Sequence, residues 1–77
     1  MVQHPTKVLD VRGLLCPYPV LKAEEAIMEL KSGEILEIRT TDSGTIIDIP
    51  AWAEKKGHQI LETSDQWLEI VFSVRKG

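Results

Sequence analysis

The spacing of hydrophobic and polar residues changes several times along the chain, and each change marks an element. Lys7-Val8-Leu9-Asp10-Val11 alternates, which predicts a short first strand with Leu9 and Val11 on one face and a turn at Gly13 after it. From Pro17 to Lys31 the apolar residues Val20, Ala23, Ile27 and Leu30 recur at helical spacing, while Lys22, Glu25 and Glu29 occupy another face. Gly33 stands where the left-handed residue that ends a helix is expected. Alternation returns in Glu34 to Thr40, a second strand that sends Leu36 and Ile38 toward the core and Glu37 and Arg39 away from it. Thr41-Asp42-Ser43-Gly44 reads as a loop, and Thr45 to Lys56 reads as helical, closed by Gly57. Pro50 lies within that stretch. A proline in a helix interior costs about 3 kcal/mol, so the regular helix is predicted to begin near Asp48 as N-cap, with Pro50 in its first turn. His58 to Thr63 reads as a third strand and Ser64-Asp65-Gln66 as a tight turn. Trp67 to Arg75 reads as a fourth strand, with Leu68, Ile70, Phe72 and Val74 on one face and Trp67, Glu69, Val71 and Ser73 on the other.

The order β-α-β-α-β-β predicts an α+β fold, a two-layer sandwich in which two helices cover one face of a four-stranded mixed sheet and the other face is partly solvated. With 77 residues the chain is expected to form one small domain over 1–77, where a single core gives only modest stability. Residues are 43% hydrophobic and 27% charged, and no apolar run approaches the roughly 18 residues that a membrane span needs. The start Met1-Val2-Gln3-His4-Pro5-Thr6-Lys7 lacks the apolar core of a secretory leader. A lone cysteine forms no internal disulfide, so the expected setting is the cytoplasm. The net charge of −3, from 12 acidic and 9 basic residues, argues against a surface that works by neutralising phosphates. No direct nucleic-acid binding is expected, and Arg12, Lys22, Lys55 and Lys56 read as parts of a solvated face.

The candidate chemistry lies in Gly13-Leu14-Leu15-Cys16-Pro17-Tyr18-Pro19-Val20, where the first strand gives way to the first helix. A free cysteine is most often a small buried filler, but a filler has no need of two prolines that lock φ at a helix start, nor of Gly13 just before it. With Cys16 as N-cap, the unpaired N–H groups and the helix dipole favour a thiolate. Pro17 and Pro19 carry no N–H, so Tyr18 is left to donate to the sulfur and the thiol pKa is expected to be depressed only modestly from about 8.5. Both prolines are expected to hold Cys16 outward rather than to support the core. Tyr18 is expected to be exposed beside the sulfur.

Leu9-Asp10-Val11-Arg12-Gly13-Leu14-Leu15-Cys16-Pro17-Tyr18-Pro19-Val20 resembles the L-D-x-x-G-x-x-C-P-x-P signature of the TusA/SirA-type sulfur carriers. Asp48-Ile49-Pro50-Ala51-Trp52 is similar to the second block of that family, and Gly57-His58 and Arg75-Lys76-Gly77 also fit. The resemblance implies a sulfane sulfur held as a persulfide on Cys16. It implies a sulfur-donor protein, either a cysteine desulfurase or a rhodanese-type enzyme, and an acceptor protein in tRNA thiolation, cofactor sulfuration or sulfur oxidation. It also places Asp10, Gly13, Pro17, Tyr18 and Pro19 in a supporting role, with Asp10 expected to hydrogen-bond backbone around the cysteine loop. Some relatives carry a second cysteine just after the D-I-P block. Here Ala53 occupies that stretch, so sulfur must leave Cys16 by attack from a partner's thiolate or a small acceptor.

No cofactor is implied, and one cysteine with two separated histidines has no metal-ligand spacing. Neither His4 nor His58 is placed by the sequence beside Cys16 as a base. Trp52 reads as core or core rim, and Trp67 as either core or a docking aromatic. Two rival functions stand beside the carrier. A stand-alone thiol-dependent sulfurtransferase or redox enzyme would need a base, an oxyanion site or a resolving thiol near Cys16, and none is visible in the sequence. A regulatory or RNA-interacting module rests only on the element order and is opposed by the net charge.

Overall fold

The parallel pairing of β1 (Lys7–Asp10) with β2 (Ile35–Thr40) sets the end of the molecule at which the loops after those strands meet. A computed structural model describes residues 4–77; the expected leaderless start at Met1, Val2 and Gln3 lies outside the described residues. The remaining elements are α1 (Tyr18–Ile27), α2 (Thr45–Lys56), β3 (Gln59–Gln66) and β4 (Glu69–Arg75). The sheet order is β1-β2-β4-β3, with β4 antiparallel to both of its neighbours. This is the α+β arrangement expected, two helices and a four-stranded mixed sheet. No helix among the described residues is long and apolar enough to cross a membrane.

The pairs Leu36↔Val74 and Ile38↔Phe72 bury their side chains between the sheet and the helices, where Ala23, Ala26, Ile27, Ile49, Trp52 and Ala53 pack onto them. Adjacent residues on β2 and β4 point the other way, and there Arg39 is paired with Glu37 and Glu69 at 2.9 and 3.0 Å. The second face is therefore polar, as the alternation requires.

Four boundaries differ from the sequence reading. α1 begins at Tyr18 with Pro17 as N-cap, so Cys16 is not the cap. It ends at Ile27 rather than Lys31, because Glu29 and Leu30 bond to the carbonyls of Ala26 and Ile27 in tighter turns that still keep Leu30 buried. α2 begins at Thr45, three residues ahead of Asp48, with Pro50 in its interior. The carbonyls of Asp42, Ser43 and Gly44 already accept the N–H groups of Thr45, Ile46 and Ile47, so the helix nucleates before the proline and Pro50 forgoes one bond. Finally, the β3–β4 turn falls at Trp67-Leu68 instead of Ser64–Gln66. Thr40 at the end of β2 already pairs with Ile70, so Leu68 has no β2 partner and no core beneath it, and it is exposed with φ of 68°.

Candidate functional site

Parallel strands put their carboxyl ends side by side, and the loops that follow them meet there. The loop after β1 carries Cys16, and the loop after β2 carries Thr41 and Asp42. Gly13, with φ of 86°, closes the turn in which the Leu14 N–H bonds to the Val11 carbonyl. Its own N–H donates to Thr41 Oγ1 at 2.8 Å. The Cys16 N–H donates to Asp42 Oδ2 at 2.8 Å, while Asp42 Oδ1 accepts the Gly44 N–H at 3.1 Å. One carboxylate thus heads α2 and tethers the cysteine loop.

The Cys16 side chain is exposed, and its thiol donates to Asp48 Oδ2 at 2.7 Å. Asp48 reaches it from the first turns of α2, so one partner comes from the loop ahead of α1 and the other from the amino-terminal part of α2. This overturns the electrostatics expected from a helix N-cap. The Tyr18 N–H is taken by the Leu15 carbonyl at 2.9 Å and not by the sulfur. The hydrogen bond to Asp48, partial desolvation and the negative charges of Asp48 and Asp42 push the thiol pKa up, where a modest depression was expected.

Asp10 bonds to the backbone N–H of Arg12 at 3.1 Å and clamps the Arg12 guanidinium at 2.9 and 2.8 Å. That clamp holds its carboxyl well below the usual range, at about 2. Asp10 therefore orders the start of the cysteine loop and leaves the backbone of Cys16 to Asp42. Pro17 is exposed, and the Cys16–Pro17 peptide is cis. Pro19 is fully buried, so it does support the core, contrary to expectation, because the first turn of α1 rolls it under the helix. Tyr18 is 58% exposed.

His58 lies beyond the far end of α2, its ring 5.3 Å from that of Trp52, and burial lowers its pKa. Trp52 is buried and donates to Glu24 Oε1 at 2.8 Å, whereas Trp67 is 90% exposed at the hairpin tip. Among the described residues no group of three or more His, Cys, Asp or Glu is placed to hold a metal ion.

The sequence reading missed Thr41, Asp42 and the partnership of Asp48 with Cys16. Thr41 and Asp42 passed as loop residues and Asp48 as a helix cap. The usable signal was two short polar segments, each at the carboxyl side of one of two strands expected to be neighbours.

Residues 7–76 match the family described as Sulfurtransferase TusA. The chain is 44% identical over 71 residues to the putative sulfur carrier protein YrkI of Bacillus subtilis, covering 92% of this chain and 95% of that one. It is 32% identical over 68 residues to the sulfur carrier protein TusA of Allochromatium vinosum, covering 88% and 90% of the two chains. A crystal structure of a SirA-like protein from Desulfitobacterium hafniense superposes with a TM-score of 0.81 at 24% identity, over 94% of this chain and 99% of that one, a likeness of fold.

Proposed function

The chain belongs to the TusA sulfurtransferase family, and from that premise we propose that it is a sulfur carrier that takes a sulfane sulfur onto Cys16 as a persulfide and relays it to an acceptor protein. The observation that carries this reading is the sole thiol of the chain, exposed on a loop whose backbone is held by Asp42 and Thr41. A held backbone presents one sulfur to two successive partners in the same geometry. The exposed Tyr18 beside it offers an aromatic surface to those partners. Sulfur arrives from a donor protein of the cysteine desulfurase or rhodanese type and leaves by attack from the acceptor's thiolate, since the chain has no second cysteine. Asp10, Gly13, Pro17 and Pro19 shape the loop. The setting is a reducing cytoplasm, and the acceptor belongs to tRNA thiolation, cofactor sulfuration or sulfur oxidation.

Incubation with a cysteine desulfurase and free cysteine should add one sulfur atom to the intact mass, removable by reductant and absent in Cys16→Ser. A gain that survives this substitution overturns the assignment.

A second reading, a stand-alone sulfurtransferase, is favoured by the carboxylate at 2.7 Å from the sulfur, since a base was the missing requirement. Multiple turnovers between a small donor and a small acceptor with no protein partner would support it. Loading that stops at one sulfur per chain supports the carrier.

A further inference from the structure

We propose that Asp48 is a catalytic residue of sulfur acceptance: its Oδ2 takes the Cys16 thiol proton as Sγ attacks the donor persulfide. This rests on the carrier reading and adds to it the route of the proton. The contact is a direct 2.7 Å hydrogen bond between groups 32 residues apart in sequence, made by a side chain of α2 whose backbone N–H is already bonded to the Gly44 carbonyl at 3.1 Å. The N-cap of α2 is Gly44, so Asp48 is not the cap of the helix that carries it.

Two carboxylates bear on the sulfur, Asp48 from α2 and Asp42 from the β2–α2 loop, while on the β1–α1 side Asp10 and Arg12 are paired with each other. The hydrogen bond to Asp48 and the negative charges of Asp48 and Asp42 oppose a standing thiolate. A thiol in such a place gains nucleophilicity most cheaply by losing its proton during the attack, so that negative charge never accumulates on Sγ between two anions. The acceptor for that proton has to be within hydrogen-bond reach, and Asp48 is.

The step balances as follows. Cys16 Sγ forms a bond to the outer sulfur of a donor R–S–SH, and the bond between the two donor sulfurs breaks. The R–S⁻ group leaves with the electron pair, and the Cys16 proton passes to Asp48 and then to the departing thiolate. The products are Cys16–S–SH and R–SH, with no external oxidant or reductant.

The test is a time course of intact mass with glutathione persulfide, run from about pH 6 to pH 9, across the range where cysteine ordinarily titrates. The wild type should load at a rate that changes little with pH. Asp48→Asn, which keeps the shape and a hydrogen-bond acceptor but not the proton acceptor, should load about 10²-fold more slowly at neutral pH and recover toward the wild-type rate as the medium becomes alkaline. Asp48→Glu should retain the flat profile with a smaller loss, and it decides the matter if Asp48→Asn does not fold. Equal or faster loading by Asp48→Asn at neutral pH, or a loss of the same size at every pH, overturns the proposal, as does an alkaline-dependent profile in Asp48→Glu. If the wild type takes no sulfur onto Cys16 from glutathione persulfide or from a cysteine desulfurase with free cysteine, the carrier reading fails and this proposal with it; if only the Asp48 comparison fails, the carrier reading stands.

Discussion

A thiol whose proton is held by a carboxylate titrates in the opposite sense to one at the mouth of a helix, and Cys16 belongs to the first kind. Asp48 and Asp42 raise its pKa above the ordinary cysteine value of about 8.5. The midpoint of its thiolate ultraviolet absorbance against pH should therefore lie above that value in the folded chain, and it should drop in Asp48→Asn; a wild-type midpoint below about 8.5 contradicts the geometry. The same shift has a stability sign. Because the folded pKa is the higher one, the unfolded chain ionises first, so the stabilisation is complete below the unfolded pKa and is lost as the pH rises through the folded one. Asp10 behaves in reverse, with stabilisation present above the usual carboxylate value and lost as the pH falls toward about 2. Both groups are exposed, so these effects shape reactivity more than they hold the fold.

Among the elements, the β3–β4 hairpin shows how pairing overrides local turn chemistry. Ser64-Asp65-Gln66 has the residue types of a turn, yet all three are paired in β3, opposite Val71, Ile70 and Glu69. The turn is left to Trp67-Leu68, and Leu68 is forced into the left-handed region at φ of 68°. That conformation costs a residue with Cβ roughly 1–2 kcal/mol; glycine relieves this cost but loses about 0.5–1 kcal/mol again because it has more unfolded freedom to give up. Leu68→Gly should accordingly raise Tm by a few degrees, about 4–8 °C for each kcal/mol gained in a chain of this size, as thermal unfolding followed by circular dichroism would show. A lowered Tm would mean that the exposed Leu68 side chain makes contacts that matter. At the same end of the sheet, where β2 runs out at Thr40 opposite Ile70, α2 tolerates Pro50 because its first turn is already closed by the carbonyls of Asp42, Ser43 and Gly44.

For the molecule as a whole, one apolar layer between the helices and a single sheet face carries the stability. At about 0.05–0.15 kcal/mol per residue, a chain of 77 residues is stable by roughly 4–12 kcal/mol. Phe72 is completely buried at the centre of that layer, opposite Ile38 on β2 and Thr63 on β3. Phe72→Ala should cost about 3–5 kcal/mol and lower Tm by well over about 10 °C, whereas Ser73→Ala on the solvated face should change stability by less than about 0.5 kcal/mol. Chemical denaturation of the two variants distinguishes them, and equal midpoints would refute this account of the core.

The element order and the buried faces of β2 and β4 were legible in the sequence, because strand alternation and helical spacing are local properties that neighbouring residues enforce on one another. So was Cys16 as the candidate for reaction, since a sole thiol followed by two prolines is visible without any fold. The partners of that thiol were not. Asp42 and Asp48 reach Cys16 across 26 and 32 positions of the chain, and only the parallel pairing of β1 with β2 brings their loops together. The direction of the thiol's titration was decided there too. It depends on which groups lie within a few ångströms of the sulfur, and that is a property of the packed molecule and not of the order of its residues.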